Sequence, residues 1–122
     1  MGIPRKFAGV LASLVLGLTL WIAPPAQAVV ASSITSHWNA TDEVFHGKVS
    51  SSNAECVAHR TVRVFKKTSS GPQLVGKTTS AKQGGWNLSL MAHSGKYFAK
   101  TPQQTIMSID CGGARSETID VM

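Results

Sequence analysis

Short runs in which apolar and polar residues alternate fill the chain from Val44 to its end. Successive side chains of a β-strand point to opposite faces, so a two-residue repeat predicts strands with one buried face. Seven such runs follow one another at intervals of about 8–12 residues, separated by Gly, Ser, Pro and Asn. They are Val44–Ser50, Thr61–Lys67, Gln73–Thr79, Gly85–Met91, Lys96–Thr101, Thr105–Cys111 and Glu117–Met122.

This spacing predicts an all-β domain over residues 43–122, a seven-stranded antiparallel sandwich. No window sustains the 3.6-residue repeat of an amphipathic helix. Residues 29–42 are polar and lack a clear repeat, so we interpret them as a flexible N-terminal segment. The expected core consists of Val62, Val64, Trp86, Leu88, Leu90, Tyr97, Ile119 and Val121.

The first 28 residues differ in character from the rest. Arg5 and Lys6 precede the uncharged apolar run Phe7–Ala23, and the small-x-small site Ala26-Gln27-Ala28 follows it. This order is typical of a secretory signal peptide cleaved after Ala28. The alternative is an uncleaved membrane anchor, because the run is at the short end of the roughly 17–25 residues that a spanning helix needs. We expect a secreted domain with no stable membrane insertion after cleavage.

Without that leader the chain has 94 residues, with ten basic and six acidic side chains and a net charge of +4. A chain of this size forms one small domain. The composition excludes a multidomain enzyme, a polytopic membrane protein and a coiled coil. We expect a monomer.

The chain has two cysteines, Cys56 and Cys111. In an oxidising compartment an even number of cysteines predicts a disulfide. Closing a loop of some 55 residues would contribute about 4 kcal/mol of stability. There is no C-x-x-C motif, and His59 near Cys56 has no further ligands at zinc spacing, so we expect a structural bond.

The order of landmarks along the chain suggests a family. These landmarks are Phe45-x-Gly47-x-Val49, Cys56, Arg60-x-Val62-x-Val64-Phe65, a Gly71 hairpin into Val75-Gly76, Gly85-Trp86, Gly95-x-Tyr97-Phe98-Ala99, Cys111, Ser116 and Ile119-x-Val121. Together they resemble the prealbumin-like (carboxypeptidase regulatory-like) sandwich domains, particularly the small secreted bacterial ones with a single disulfide. The resemblance spans Val44 to Met122 and implies an accessory, spacer or adhesive module, some relatives of which bind polysaccharide.

Basic residues are concentrated in one predicted strand, which carries Arg60, Arg63, Lys66 and Lys67. Such a strand would attract an anionic polymer, such as a cell-wall polyanion or an acidic polysaccharide, through counterion release. The alternative is a solvated strand face whose charge prevents pairing with other chains. The small number of aromatic residues argues against nucleic acid as a partner.

Two aromatic residues, Phe65 and Phe98, are out of phase with the inward positions of their strands. Exposed rings there would stack on a ligand or dock a protein partner. The alternative is burial, because large aromatic side chains are mostly buried in folded proteins.

Catalytic and metal-binding motifs do not emerge from the sequence. The four histidines are dispersed, and His46 and His59 would meet only if the fold brought them together. There is no G-x-S-x-G elbow and no phosphate loop, so we expect no catalytic residue, no metal site and no cofactor. We expect a non-catalytic secreted module for binding or adhesion at the cell surface. The alternatives are a soluble protein-recognition module (an inhibitor or effector) or a small hydrolase with a spatially assembled site.

Overall fold

The computed structural model describes residues 28–122. The predicted leader, apart from Ala28, lies outside the described residues. The described part is all-β, and its helical structure is a single 3₁₀ turn at Ala54–Cys56. Within residues 28–122, no helix is long and apolar enough to cross a membrane.

Eleven strands lie within residues 28–122, and all strand pairs are antiparallel. Each run predicted from the sequence contains a strand, and β1, β2 and β10 lie outside those runs. The strands are β1 (Ser32–Ile34), β2 (His37–Asn39), β3 (Val44–Ser51), β4 (Thr61–Thr68), β5 (Gly71–Thr79), β6 (Gly85–Ser89), β7 (Gly95–Thr101), β8 (Gln104–Ile106), β9 (Ile109–Cys111), β10 (Ala114–Arg115) and β11 (Ile119–Val121).

The larger sheet has five strands. Its order is β5–β4–β7, and the far edge of β7 is paired with β10 and then with β11. Strand β4 is central, and its inward residues Val62 and Val64 are buried. The register between β4 and β5 shifts at Val64/Phe65, where a bulge lies.

The second sheet has four strands around β3. Strand β6 pairs with one edge of β3, and β1 and β2 pair in succession with the other edge. The segment 29–42, predicted to be flexible, therefore contributes two strands and the buried side chain of Ile34. These two strands were not predicted because each has only three residues, too few to display a repeat.

A separate hairpin of β8 and β9 divides the predicted run Thr105–Cys111. Met107 and Ser108, at its tip, have φ values of 53° and 67°. A two-residue hairpin turn of type I′ has positive φ at both central residues, so the chain reverses there although neither residue is glycine. The hairpin ends at Cys111, which forms the predicted disulfide with Cys56 at a Cα–Cα distance of 5.4 Å.

Side chains from both larger sheets form one hydrophobic core. Phe45 of β3 and Tyr97 of β7 join the two sheets, with ring centroids 5.1 Å apart. Of the expected core, five residues are buried, whereas Leu88, Leu90 and Ile119 are partly buried and pack against it. The buried members of the core cluster are Ile34, Phe45, Val49, Val62, Val64, Trp86, Tyr97, Ala99 and Val121.

Candidate anion-binding face

Four cationic side chains lie in one row across the outer face of the five-stranded sheet. Arg63 on β4 is directly opposite Lys77 on β5 and Lys100 on β7, and Lys100 is directly opposite Arg115 on β10. The alternation of side chains along β4 explains why Arg63 lies on the outer face, because its neighbours Val62 and Val64 point into the core. We call these four residues the basic row. With strands about 4.8 Å apart, it is about 14 Å long.

The basic row has no carboxylate partner within residues 28–122. The ion pair found there is Lys96–Asp120, with Nζ and Oδ1 2.6 Å apart, and it involves none of the four residues. Lys77, Lys100 and Arg115 are exposed, and Arg63 is half-buried. Like charges directly opposite each other destabilise a sheet, so this arrangement has a cost that a bound anion would relieve.

An aromatic row lies beside the basic row. Phe65 is opposite Phe98 on β7, their rings stack with centroids 5.4 Å apart, and the Arg115 guanidinium carbon lies 3.8 Å from the centroid of Phe98. The guanidinium and Phe65 cover Phe98, which is 2% exposed. Phe98 is therefore unavailable for ligand stacking. Of the two alternatives drawn from the sequence, burial applies to it, although it lies on the outer face. Phe65 is half-buried and keeps part of its surface open.

A cleft of about 430 Å³ opens at this face. It is lined by three members of the basic row, by Phe65 and by residues 101–103 and 113–114. The cleft thus combines positive charge with an aromatic surface, which suits an anionic group attached to a ring or an apolar chain.

Arg60, predicted to bind a polyanion, is instead fully buried. Each of its five N–H groups donates a hydrogen bond, and burial lowers the pKa of its guanidinium. Its position follows from the two-residue repeat, because Arg60 has the same phase as Val62 and Val64; that signal was present in the sequence. The acceptors, at 2.7–3.1 Å, are Gln104 Oε1, Ser32 Oγ and the carbonyl oxygens of Cys56, Pro102 and Gly112.

The other two predicted basic residues lie outside the basic row. Lys66 is opposite Tyr97, and its Nζ is 5.8 Å from the centroid of that ring. Lys67 is exposed near the end of β4, opposite Pro72. Arg63 is thus the member of the predicted set that the structure places in the row. Arg115 was missed because a two-residue strand has no sequence signature.

The sequence left open whether the fold brings His46 and His59 together, whereas the structure places His46 beside His37. His46 lies opposite His37 on β2, and the two ring centroids are 5.4 Å apart. Across residues 28–122, no three side chains of His, Cys, Asp or Glu are grouped as a metal would require.

Comparison with family models, curated proteins and solved structures finds no match to this chain. The prealbumin-like resemblance stays a prediction.

Proposed function

We propose that this chain is an exported, non-catalytic β-sandwich module of the prealbumin-like type that binds a linear anionic polymer at the cell surface. The two larger sheets would pack face to face, and the outer face of the five-stranded sheet would hold the ligand. The polymer would be a cell-wall polyanion or an acidic polysaccharide. The observation that carries the proposal is the basic row, four cations side by side without a carboxylate partner in the described residues.

The direction of the row indicates how the polymer would lie. The four charges follow one another from strand to strand, so a polymer contacting all of them crosses the strands instead of running along one. Binding would release the counterions condensed on the polymer, and this release makes affinity depend steeply on salt. The open part of Phe65, beside Arg63 and Lys100 in the cleft, would contact the polymer backbone.

A matched pair of double variants tests the proposal. The row variant is Lys77→Gln with Lys100→Gln, both at exposed positions. The control variant is Lys48→Gln with Lys82→Gln, which removes the same net charge from exposed positions outside the row. Binding to polygalacturonate, a polymer of carboxylates, is measured between about 50 and 200 mM salt, a range over which ionic contacts to a polyanion weaken strongly. Neutral dextran serves as the uncharged polymer.

We expect the row variant to reduce the slope of log affinity against log salt by about one for each charge removed. The control variant should keep most of the slope. Equal slopes for the two double variants, or wild-type binding that ignores salt, would refute the role of the row.

A second candidate is a soluble protein-recognition module, an inhibitor or effector that docks through a strand edge. The supporting observation is β5, a nine-residue strand that pairs with β4 alone among the described strands. A partner strand added to that edge would gain backbone hydrogen bonds. The bulge in β5 and Pro72 weaken this candidate, since both features blunt edges against pairing. Salt-insensitive binding of a protein partner, abolished by proline substitution at Lys77, would favour it.

A further inference from the structure

Two imidazole rings lie side by side on the outer face of the four-stranded sheet. His37 on β2 is the direct cross-strand partner of His46 on β3, and their ring centroids are 5.4 Å apart with an interplanar angle of 33°. Their neighbours Trp38 and Phe45 form the adjacent pair, 4.5 Å apart, and Phe45 is fully buried. Alternation along both strands therefore turns the two histidines outward, and both are exposed.

We propose that His37 and His46 together chelate one divalent transition-metal ion, with Cu²⁺ bound most tightly. Metal–nitrogen bonds are about 2.0–2.1 Å long, and the centre of an imidazole ring lies about 1.1 Å behind its nitrogen. Two rings bound to one ion at an angle of about 90–120° therefore have centres about 4.5–5.5 Å apart. The observed separation lies within this range, so rotation of the exposed side chains brings both nitrogens to one ion without moving the strands.

The sheet supplies the affinity of the pair. Strand pairing holds both backbones in register, so the second imidazole binds as an intramolecular ligand at high effective concentration. Imidazole nitrogen suits Cu²⁺, Ni²⁺ and Zn²⁺, with Cu²⁺ the strongest of the divalent series, whereas Mg²⁺ and Ca²⁺ prefer oxygen. Water completes the coordination, because no third side chain of His, Cys, Asp or Glu joins the pair among residues 28–122.

Four single variants and one double variant (His37→Ala with His46→Ala) of the exported, oxidised chain provide the test. His37→Ala and His46→Ala remove one ligand each, and the matched controls His59→Ala and His93→Ala remove exposed histidines outside the pair. Cu²⁺, Ni²⁺, Zn²⁺ and Mg²⁺ chlorides are titrated separately by calorimetry. Quenching of tryptophan fluorescence by Cu²⁺ is recorded as well, because Trp38 is next to His37. Since His37 and His46 are exposed, the His37→Ala and His46→Ala variants should melt as the wild type does.

We expect one Cu²⁺ per chain, bound by two imidazole nitrogens in the electron paramagnetic resonance spectrum. Loss of either His37 or His46 should weaken binding about 100-fold, and loss of both should add little, because one imidazole alone is no chelate. The His59 and His93 variants should bind within about twofold of wild type. A His37→Ala or His46→Ala variant within about threefold of wild type, or a spectrum with one nitrogen ligand, would overturn the proposal. The pair and the basic row lie on different sheets, so either proposal can fail alone.

Discussion

Replacement of Arg60 by methionine is predicted to cost a large part of the stability of the domain. The guanidinium joins β4 to β1, to the Cys56 turn and to the loops around Pro102 and Gly112. Methionine fills a similar volume but donates no hydrogen bond, so every one of these contacts is lost at once.

The magnitude follows from the acceptors that remain. The carbonyl oxygens of Cys56 and Gly112 are buried, and an unpaired buried acceptor costs about 1–3 kcal/mol, so these two alone cost about 2–6 kcal/mol. Gln104 Oε1 keeps a donor, the backbone N–H of Thr61 at 3.0 Å. Relief of the guanidinium desolvation offsets part of the loss. We expect a net loss of about 3 kcal/mol, against a typical domain stability of about 5–15 kcal/mol.

Urea and thermal denaturation of the oxidised protein measure this loss. For a domain of this size, about 3 kcal/mol lowers the Tm by roughly 12–24 °C. The matched control is Arg63→Met, three residues further along the chain in β4, half-buried and on the outer face; it should cost less than about 1 kcal/mol. Arg60→Lys keeps the charge but not the planar fork of donors. We therefore expect it to recover less than half of the stability that the Arg60→Met variant loses. Equal midpoints for the Arg60→Met and Arg63→Met variants would refute the reasoning, and a fully stable Arg60→Lys variant would show that charge, not geometry, matters.

Two further predictions concern the core. Burial raises the pKa of the Tyr97 phenol, which donates a hydrogen bond to the His93 carbonyl, so the fold favours its neutral form. This contribution is complete below the ordinary phenol pKa of about 10 and is lost as pH rises through the higher pKa of the folded state, so the Tm should fall above about pH 10. A Tyr97→Phe variant whose Tm falls as steeply would contradict this origin. A Cβ at Gly47 would lie 1.9 Å from the Thr35 carbonyl oxygen, so Gly47→Ala should cost about 1–3 kcal/mol in urea denaturation, whereas a Cβ at Gly85 meets nothing within 4 Å. Equal midpoints for Gly47→Ala and Gly85→Ala would show that the backbone relaxes to accept the methyl group.

Local alternation was sufficient to predict the strand character and much of the core. Val62, Val64, Tyr97 and Val121 lie inward as their two-residue phase requires. The same phase places Arg60 inward. Its burial could therefore have been predicted from the sequence, but its charge was taken to mean exposure. The even cysteine count likewise predicted the disulfide that the structure contains.

By itself, the sequence determined which side chains of a strand share a face, because that alternation depends only on neighbours along the chain. Only the tertiary structure decided which strands lie side by side and in which register. The basic row joins residues on β5, β4, β7 and β10, and the histidine pair joins β2 and β3. A one-residue change of register would turn a strand's side chains to the other face and dissolve both groupings while leaving the sequence pattern unchanged. The candidate sites therefore depend on strand pairing and register, which the burial of one shared core selects.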